Sequence, residues 1–435
     1  MQGKDNEKFS FINEKRKEKP LNKKKLLAQL TYAVCLAVIF GLAASFVFAF
    51  FEPRFSQLFY PEQGPVVTIP KDETEMPQQE PQTETETETE AETETETETE
   101  SEAIGRLPDE GITLPDFQKL QNELYAVGRE ANKFIVTVTG VKSDTDWFNN
   151  SYESKGQASG VIIADNGQEL LILTERKAIT GAQEMFVTFI NDVTAPATMK
   201  KYDGNTGIAV LSVPRESLND ETLHAITVAE LGNSLVATQG MMVIAVGSPL
   251  GTNYSILTGN ITSTTNSIST IDRNYTVFTT DIVGSSQGSG VLINTSGQVI
   301  GLVMQAYGND SGQNTLTAIS VSELKSLIEM LSNNEEIPYI GLELTTVTND
   351  IATEYEIPKG AYIKEVRIDS PAMAAGLQKG DVVTKMQGET IFNVDSYENK
   401  LLDLQPGSQV ELVVQRQGQG GYKEVTCTVE VSVLQ

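Results

Sequence analysis

The chain has 435 residues, 59 Asp and Glu against 32 Lys and Arg, and a formal net charge of -27. That length accommodates two or three domains with sizeable cores. The acidic balance argues against nucleic acid as a partner, because phosphates call for a basic face, and two cysteines, Cys35 and Cys427, imply no disulfide framework.

Residues 1–25 are rich in Lys and Arg and end in "NKKK". The following stretch, 26–51, "LLAQLTYAVCLAVIFGLAASFVFAFF", carries no charge. At about 1.5 Å per residue it is long enough to cross a hydrocarbon core of about 30 Å. A cleaved signal peptide would have a shorter apolar run and an A-x-A-like site, so the segment reads as a transmembrane helix. The positive-inside rule then puts the N-terminus in the cytoplasm and the C-terminal domains outside the cell membrane as a single-pass protein. Residues 52–114 centre on "TETETETEAETETETETESEA" and read as a disordered linker that holds the folded part away from the bilayer. Alternating Thr and Glu lack the fixed oxygen cage of a calcium site, and neither metal nor cofactor is expected.

The composition becomes globular from residue 115. "DFQKLQNELYAVGREANKF" has helical spacing, and short runs rich in Val, Ile and Thr follow between turn signals: "FIVTVTGV", "SGVIIAD", "ELLILT", "MFVTFI", "GIAVLSV", "GMMVIAVG", "GSGVLIN" and "GQVIGLVM". Such punctuation predicts a mainly β region of barrel or sandwich type over 115–334, closed by the helix "SVSELKSLIEMLSN". A smaller α+β unit occupies 335–435, with short helices at "SPAMAAGL" and "DSYENKLLDL".

Together these landmarks resemble the HtrA/DegP family of trypsin-like serine proteases with a C-terminal PDZ domain. "ASGVIIADNGQELLILT" resembles the opening hairpin, "YDGNTGIAVLSV" the strand of the catalytic aspartate, and "VGSPLG" a turn of the second barrel. "GSGVLINTSGQVIGLV" resembles the strand pair after the nucleophile, and "DSPAMAAGLQKGDVVTKMQGETI" the PDZ pattern. The resemblance covers about residues 130–433 and implies a trypsin-like double β-barrel followed by a PDZ domain.

The family's catalysis needs a nucleophile, a base, an orienting carboxylate and oxyanion donors. Aligned without gaps, "LTERKAITGA" places Lys177 at the histidine position, and "YDGNTGIAVL" places Gly207 at the aspartate position. The nucleophile loop, "DIVGSSQGSGVLIN" from Asp281, is one residue short, so that either Gly288 or Ser289 takes the serine position and either Ser286 or Gln287 the glycine of the oxyanion hole. A side chain there disfavours a positive-φ turn. The lone His224 falls in the connection between the barrels and reads as a surface residue. The resemblance therefore implies a catalytically degenerate member, a pseudoprotease. The alternative is an active serine endopeptidase with a Ser289–Lys177 dyad, which needs burial to lower the lysine's pKa, whereas Glu175 stands ready to pair with that lysine.

In the PDZ unit, "PYIGLEL" resembles the carboxylate-binding loop. The resemblance implies that Tyr339, Ile340, Gly341 and Leu342 present backbone N–H groups to a peptide C-terminus, with Tyr397 and Leu401 on the opposite wall. The competing reading is a unit that packs against the barrel and binds no peptide. Peptide or protein C-termini and misfolded proteins of the bacterial envelope are the implied partners, in protein quality control or through homo- or hetero-trimers with active relatives. Trp147 falls in the loop that covers the cleft in the family, or in the core.

Overall fold

A computed structural model describes residues 66–72, 113–145, 151–305 and 314–434. The expected membrane segment, most of the expected linker and Trp147 lie outside these residues. Among the described residues no helix is long and apolar enough to cross a membrane.

The chain enters the folded region through α1 (Leu114–Ala131), which starts with Pro115 in its first turn and with the Thr113 N–H donating to Asp116 Oδ2 at 3.0 Å. Leu124, Gly128 and Ala131, spaced at four and three, form its buried stripe. Gly128 is required by contact: a Cβ there would come within 2.5 Å of Ile256.

Two closed six-stranded barrels follow. The first contains β1 (Ile135–Thr145), β2 (Ser151–Asp165), β3 (Glu169–Glu175), β4 (Glu184–Thr188), β5 (Thr194–Tyr202) and β6 (Ile208–Pro214), in the order β1-β2-β3-β6-β5-β4. The second contains β7 (Met242–Ser248), β8 (Ser255–Thr270), β9 (Arg273–Val283), β10 (Ser289–Ile293), β11 (Val299–Met304) and β12 (Thr315–Ser320), in the order β10-β11-β12-β9-β8-β7. The runs "LLILT" and "IAVLSV" are buried on both faces, as expected for strands sealed inside by the barrel core and outside by neighbouring elements. Between the barrels lies the short helix α2 (Asp220–Ala225). After them α3 (Val321–Ser332) packs across β5 and β6 of the first barrel and β11 and β12 of the second.

The C-terminal unit has its own core around Tyr397, Leu401, Leu342 and Val414. Its main sheet runs β14 (Leu342–Thr346), β15 (Ala361–Val366), β16 (Val382–Met386), β18 (Gln409–Gly418) and β19 (Gly421–Glu430), with β17 (Glu389–Thr390) beside β16. A separate pair, β13 (Pro338–Tyr339) and β20 (Ser432–Val433), ties the two ends of the unit together. Three helices complete it: α4 (Asn349–Tyr355), α5 (Pro371–Ala374) and α6 (Val394–Leu402). β14 is the edge strand of this sheet, so one row of its backbone groups has no partner strand within the sheet.

One segment departs from the linker reading. Residues 66–72, "VVTIPKD", lie against α3 and the barrel core. Ile69 is buried, the Val67 N–H donates to Asn333 Oδ1 at 2.9 Å, and the Ile69 N–H donates to Glu329 Oε2 at 3.1 Å. The physical reason is local composition: "VVTI" is apolar, unlike the Thr-Glu tract that follows it. The segment ends in an ion pair, Asp72 with Lys325 at 2.8 Å, in which the lysine side chain is only 4% exposed. Removing one partner of such a pair strands a buried charge. Asp72→Ala is therefore expected to destabilise the chain by about 3–5 kcal/mol in chemical denaturation, and Lys325→Met in that background should recover most of the loss.

Candidate functional site

The cleft positions can be followed strand by strand. β3 ends at Glu175 and turns through a single 3₁₀ turn, Arg176–Ala178, which carries Lys177. The Arg176 N–H donates to the Gly207 carbonyl at 2.8 Å, so the positions aligned with histidine and aspartate are neighbours. Gly207 has φ +74°, and a Cβ there would meet open space. Lys177 Nζ lies 2.6 Å from Glu175 Oε2, its carboxylate partner. Burial raises the Glu175 carboxyl above its ordinary pKa while Lys177 pulls it back, and Oε1 of that carboxylate has no hydrogen-bond partner.

Ser289 opens β10 and is 1% exposed. Its hydroxyl accepts the Ser159 N–H of β2 at 3.0 Å, across the barrel interface. The Ser159 carbonyl in turn accepts from Thr174 Oγ1 at 3.1 Å. Among the described residues no hydrogen bond joins Ser289 to Lys177. Gly288 closes a turn, with its N–H on the Ser285 carbonyl at 2.7 Å. A Cβ at Gly288 would sit 2.7 Å from the Pro249 carbonyl and 2.8 Å from that of Ser285, so this position has no room for a side chain. The Gln287 N–H is bonded to Ser285 Oγ at 3.2 Å, and Ser286 is exposed at the tip. His224 lies exposed on α2, its Nδ1 2.5 Å from the Asp220 carbonyl.

Of the second set, Ile340, Gly341, Leu342 and Tyr397 converge on one group. The N–H groups of Ile340 and Gly341 donate to one carboxylate oxygen at 2.8 and 2.7 Å, and that of Leu342 donates to the other at 3.0 Å. The carboxylate belongs to Asp272, at the tip of the β8–β9 hairpin of the second barrel. Tyr397 Oη on α6 donates to it as well, at 2.9 Å, while the Asp272 N–H donates to the Leu342 carbonyl at 2.6 Å. Burial pushes the Asp272 carboxyl above the usual carboxylate range, and these donors pull against that shift by favouring the charged form. Tyr339 does not contribute an N–H to this carboxylate; it pairs with Ser432 in the β13–β20 ribbon. Leu401 is buried in the core beneath α6.

Residues 158–302 match the trypsin-like peptidase domain family, and residues 338–433 match the PDZ domain family. A probable periplasmic serine endoprotease, DegP-like, from Halomonas elongata is 29% identical over 288 residues, covering 64% of this chain and 57% of its own. The serine protease Do-like HtrB of Bacillus subtilis is 27% identical over 320 residues, covering 67% of this chain and 68% of its own. The chain is an HtrA-type family member. It spans a little over half the length of the DegP-like relatives, at 57% for each of two of them. The solved HtrA-type protease AlgW with decapeptide shares the fold, with a TM-score of 0.52 and 20% identity over 71% of this chain and 98% of that one. The double barrel and the PDZ domain read from the sequence are therefore present.

Asp272, Arg273, Asn274 and Glu398 are the site residues that sequence reasoning missed. Asn274 donates its N–H to Glu398 Oε1 and its Nδ2 to the Leu344 carbonyl, the latter at 3.2 Å. Glu398 is half-buried, and its carboxyl is pushed up to about 8: burial raises it most, Asn274 and Arg273 lower it, and Asp395 and Glu323 raise it again by charge repulsion. Because the folded pKa lies above the ordinary 4.5, its contribution to stability is complete below 4.5 and is lost as pH rises through about 8. Amide exchange at Asn274 is thus expected to speed up between pH 6 and pH 9 beyond the intrinsic rate, and Glu398→Gln should flatten that excess.

Proposed function

We propose that this HtrA-type chain is a membrane-anchored pseudoprotease, with its barrels and PDZ domain on the extracytoplasmic side, that recognises peptide C-termini and misfolded envelope proteins through the PDZ domain. The observation that carries this reading is the state of the nucleophile candidate. Ser289 is buried, and its hydroxyl serves as acceptor for the Ser159 N–H rather than as donor to a base. A serine nucleophile needs a base within hydrogen-bond reach. The residue aligned with the family's base, Lys177, is engaged with Glu175.

The oxyanion donors point the same way. With Ser289 as nucleophile the glycine position of the hole falls on Gln287, whose N–H is satisfied inside its own turn, whereas a working hole keeps such donors aimed at the developing charge. The PDZ donors, in contrast, already hold a carboxylate, which is the chemistry a receptor for chain ends requires. Tethered beside active relatives, a protein of this kind would modulate them by mixed assembly.

The curated relatives are named serine proteases and endoproteases, so the competing reading is an active endopeptidase using Ser289 and Lys177. Hydrolysis of unfolded casein by the full chain, with Ser289→Ala and Lys177→Ala variants alongside, separates the two. No cleavage above the variants is the expected outcome. Cleavage by the wild type that both substitutions abolish would overturn the pseudoprotease reading.

A further inference from the structure

The tip of the β8–β9 hairpin is seated on the PDZ domain as a peptide would be. Ile271 forms an antiparallel bridge with Glu343 on β14, the open edge of the sheet. On either side of it, Ser269 Oγ and Asn274 Nδ2 both donate to the Leu344 carbonyl, at 3.3 and 3.2 Å. The hairpin thus pairs with the edge strand while a carboxylate at its tip fills the loop made by Ile340, Gly341 and Leu342. Edge pairing and carboxylate capture together are the two elements of chain-end recognition by β-strand addition. Here both come from one chain, and the carboxylate is a side chain.

Several features make this a built contact. Asp272 is 3% exposed, and both of its oxygens are used as acceptors, by three N–H groups and by the Tyr397 hydroxyl. Asp272 has φ +60°, a left-handed conformation that aspartate tolerates better than most side chains. From the other side, Asn205 of the first barrel donates Nδ2 to the Ile271 carbonyl at 3.0 Å. The hairpin tip is therefore held between the first barrel and the PDZ domain.

We propose that Asp272 is the resident ligand of the PDZ carboxylate loop, so that any peptide C-terminus must displace the β8–β9 hairpin to bind. The inference rests on the reading of the PDZ domain as a receptor for chain ends. It assigns the class of competitor: a free main-chain carboxylate on an extended segment able to pair with β14. An internal amide or an amidated C-terminus lacks the charge that the three N–H groups hold.

The test uses the full chain in detergent micelles with a fluorescein-labelled decapeptide ending in Leu-Val with a free carboxylate, together with its amidated counterpart. Asp272→Gly removes the carboxylate without backbone strain, and Asp272→Asn keeps the side-chain shape without the charge. Because an occupied site lowers apparent affinity by the fraction of open molecules, both variants are expected to bind the free-carboxylate peptide at least about tenfold more tightly than wild type. The amidated peptide should bind none of them appreciably. Equal affinity for the free-carboxylate peptide in wild type and both variants would overturn the proposal. Amide exchange at Ile340, Gly341 and Leu342 is the second readout, with β18 and β19 as the internal control for folding. If no peptide binds any form, faster exchange in Asp272→Gly alone would keep Asp272 as resident ligand and remove the chain-end reading, whereas unchanged exchange would remove the proposal. Should Asp272→Gly lose protection throughout β18 and β19, Asp272→Asn supplies the comparison.

Discussion

A carboxylate taken out of water must find its hydrogen bonds elsewhere, and Asp272 finds them in the PDZ loop: three backbone N–H groups and the Tyr397 hydroxyl. None of these donors is idle, and none lies in the barrel that supplies the carboxylate. The consequence is geometric. A buried charge satisfied by a neighbouring domain fixes where that domain sits, because even a shift of an ångström would leave an unpaired charge at a cost of several kcal/mol. The Asn274–Glu398 bond and the two bonds on the Leu344 carbonyl follow from the same placement. They set the rotation of the hairpin about its own axis once the carboxylate has set its depth.

The cleft of the double barrel follows the opposite economy of donors. In a working protease some groups stay unsatisfied until the transition state supplies their partner. Here three N–H donors of the 285–289 loop are used locally: Gly288 on the Ser285 carbonyl, Gln287 on the Ser285 hydroxyl, Ser285 on the Pro249 carbonyl at 2.8 Å. Gln305 adds a further bond from its Nε2 to the Ser285 carbonyl at 3.1 Å. The exception is Glu175, whose Oε1 is buried without a partner beside Lys177. One unsatisfied polar atom thus remains, two residues before the position where the family carries its base.

Much of this was legible in the sequence. The strands that bury both faces announced themselves as apolar runs, and the two short helices read at "SPAMAAGL" and "DSYENKLLDL" are α5 and α6. Lys177 and Gly207 lie just beyond the paired ends of β3 and β6, which run in register from Glu169 to Glu175, and this pairing brings the two turns side by side. What was not legible was the β8–β9 hairpin. "SILTGNITSTTNSIST" has Ile and Leu, but polar residues occupy most of its positions, and only Ile261 along it is buried. Strand periodicity is a signature of one buried face, and a strand that leaves the barrel to meet another domain has none. Its turn is equally silent: Thr270 pairs with Arg273 around Ile271-Asp272, and this pair lacks the Asn-Gly or Asp-Gly chemistry by which two-residue hairpins are read. Capture of Asp272 is a tertiary event between segments about 70 residues apart in the chain, beyond the reach of any local pattern.

Magnitudes decide what holds the hairpin and what would release it. Asn205 binds the Ile271 carbonyl from the loop that also contains Gly207, and that loop is fixed by Asp203, which accepts from the Thr206 N–H at 3.0 Å and from its hydroxyl at 2.6 Å. This gives physical continuity between the PDZ groove and the cleft, but continuity alone is no measure of coupling. A single neutral hydrogen bond contributes about 1 kcal/mol net, and bonds to a charged group about 1.5–3 kcal/mol each. Four donors on the Asp272 carboxylate therefore outweigh the one bond to Asn205 several times over. An incoming peptide carboxylate would regain those same four bonds, so they nearly cancel in the exchange. The balance is then left to the weaker contacts that the hairpin gives up and the peptide must replace: the Ile271–Glu343 bridge, the Ser269 and Asn274 bonds to Leu344, and the Glu398 contact. Only the last of these lies on a group titrating near neutrality, and it is the least costly to lose at the high end of the pH range, where the Glu398 carboxylate is charged and sits beside Asp395 and Glu323.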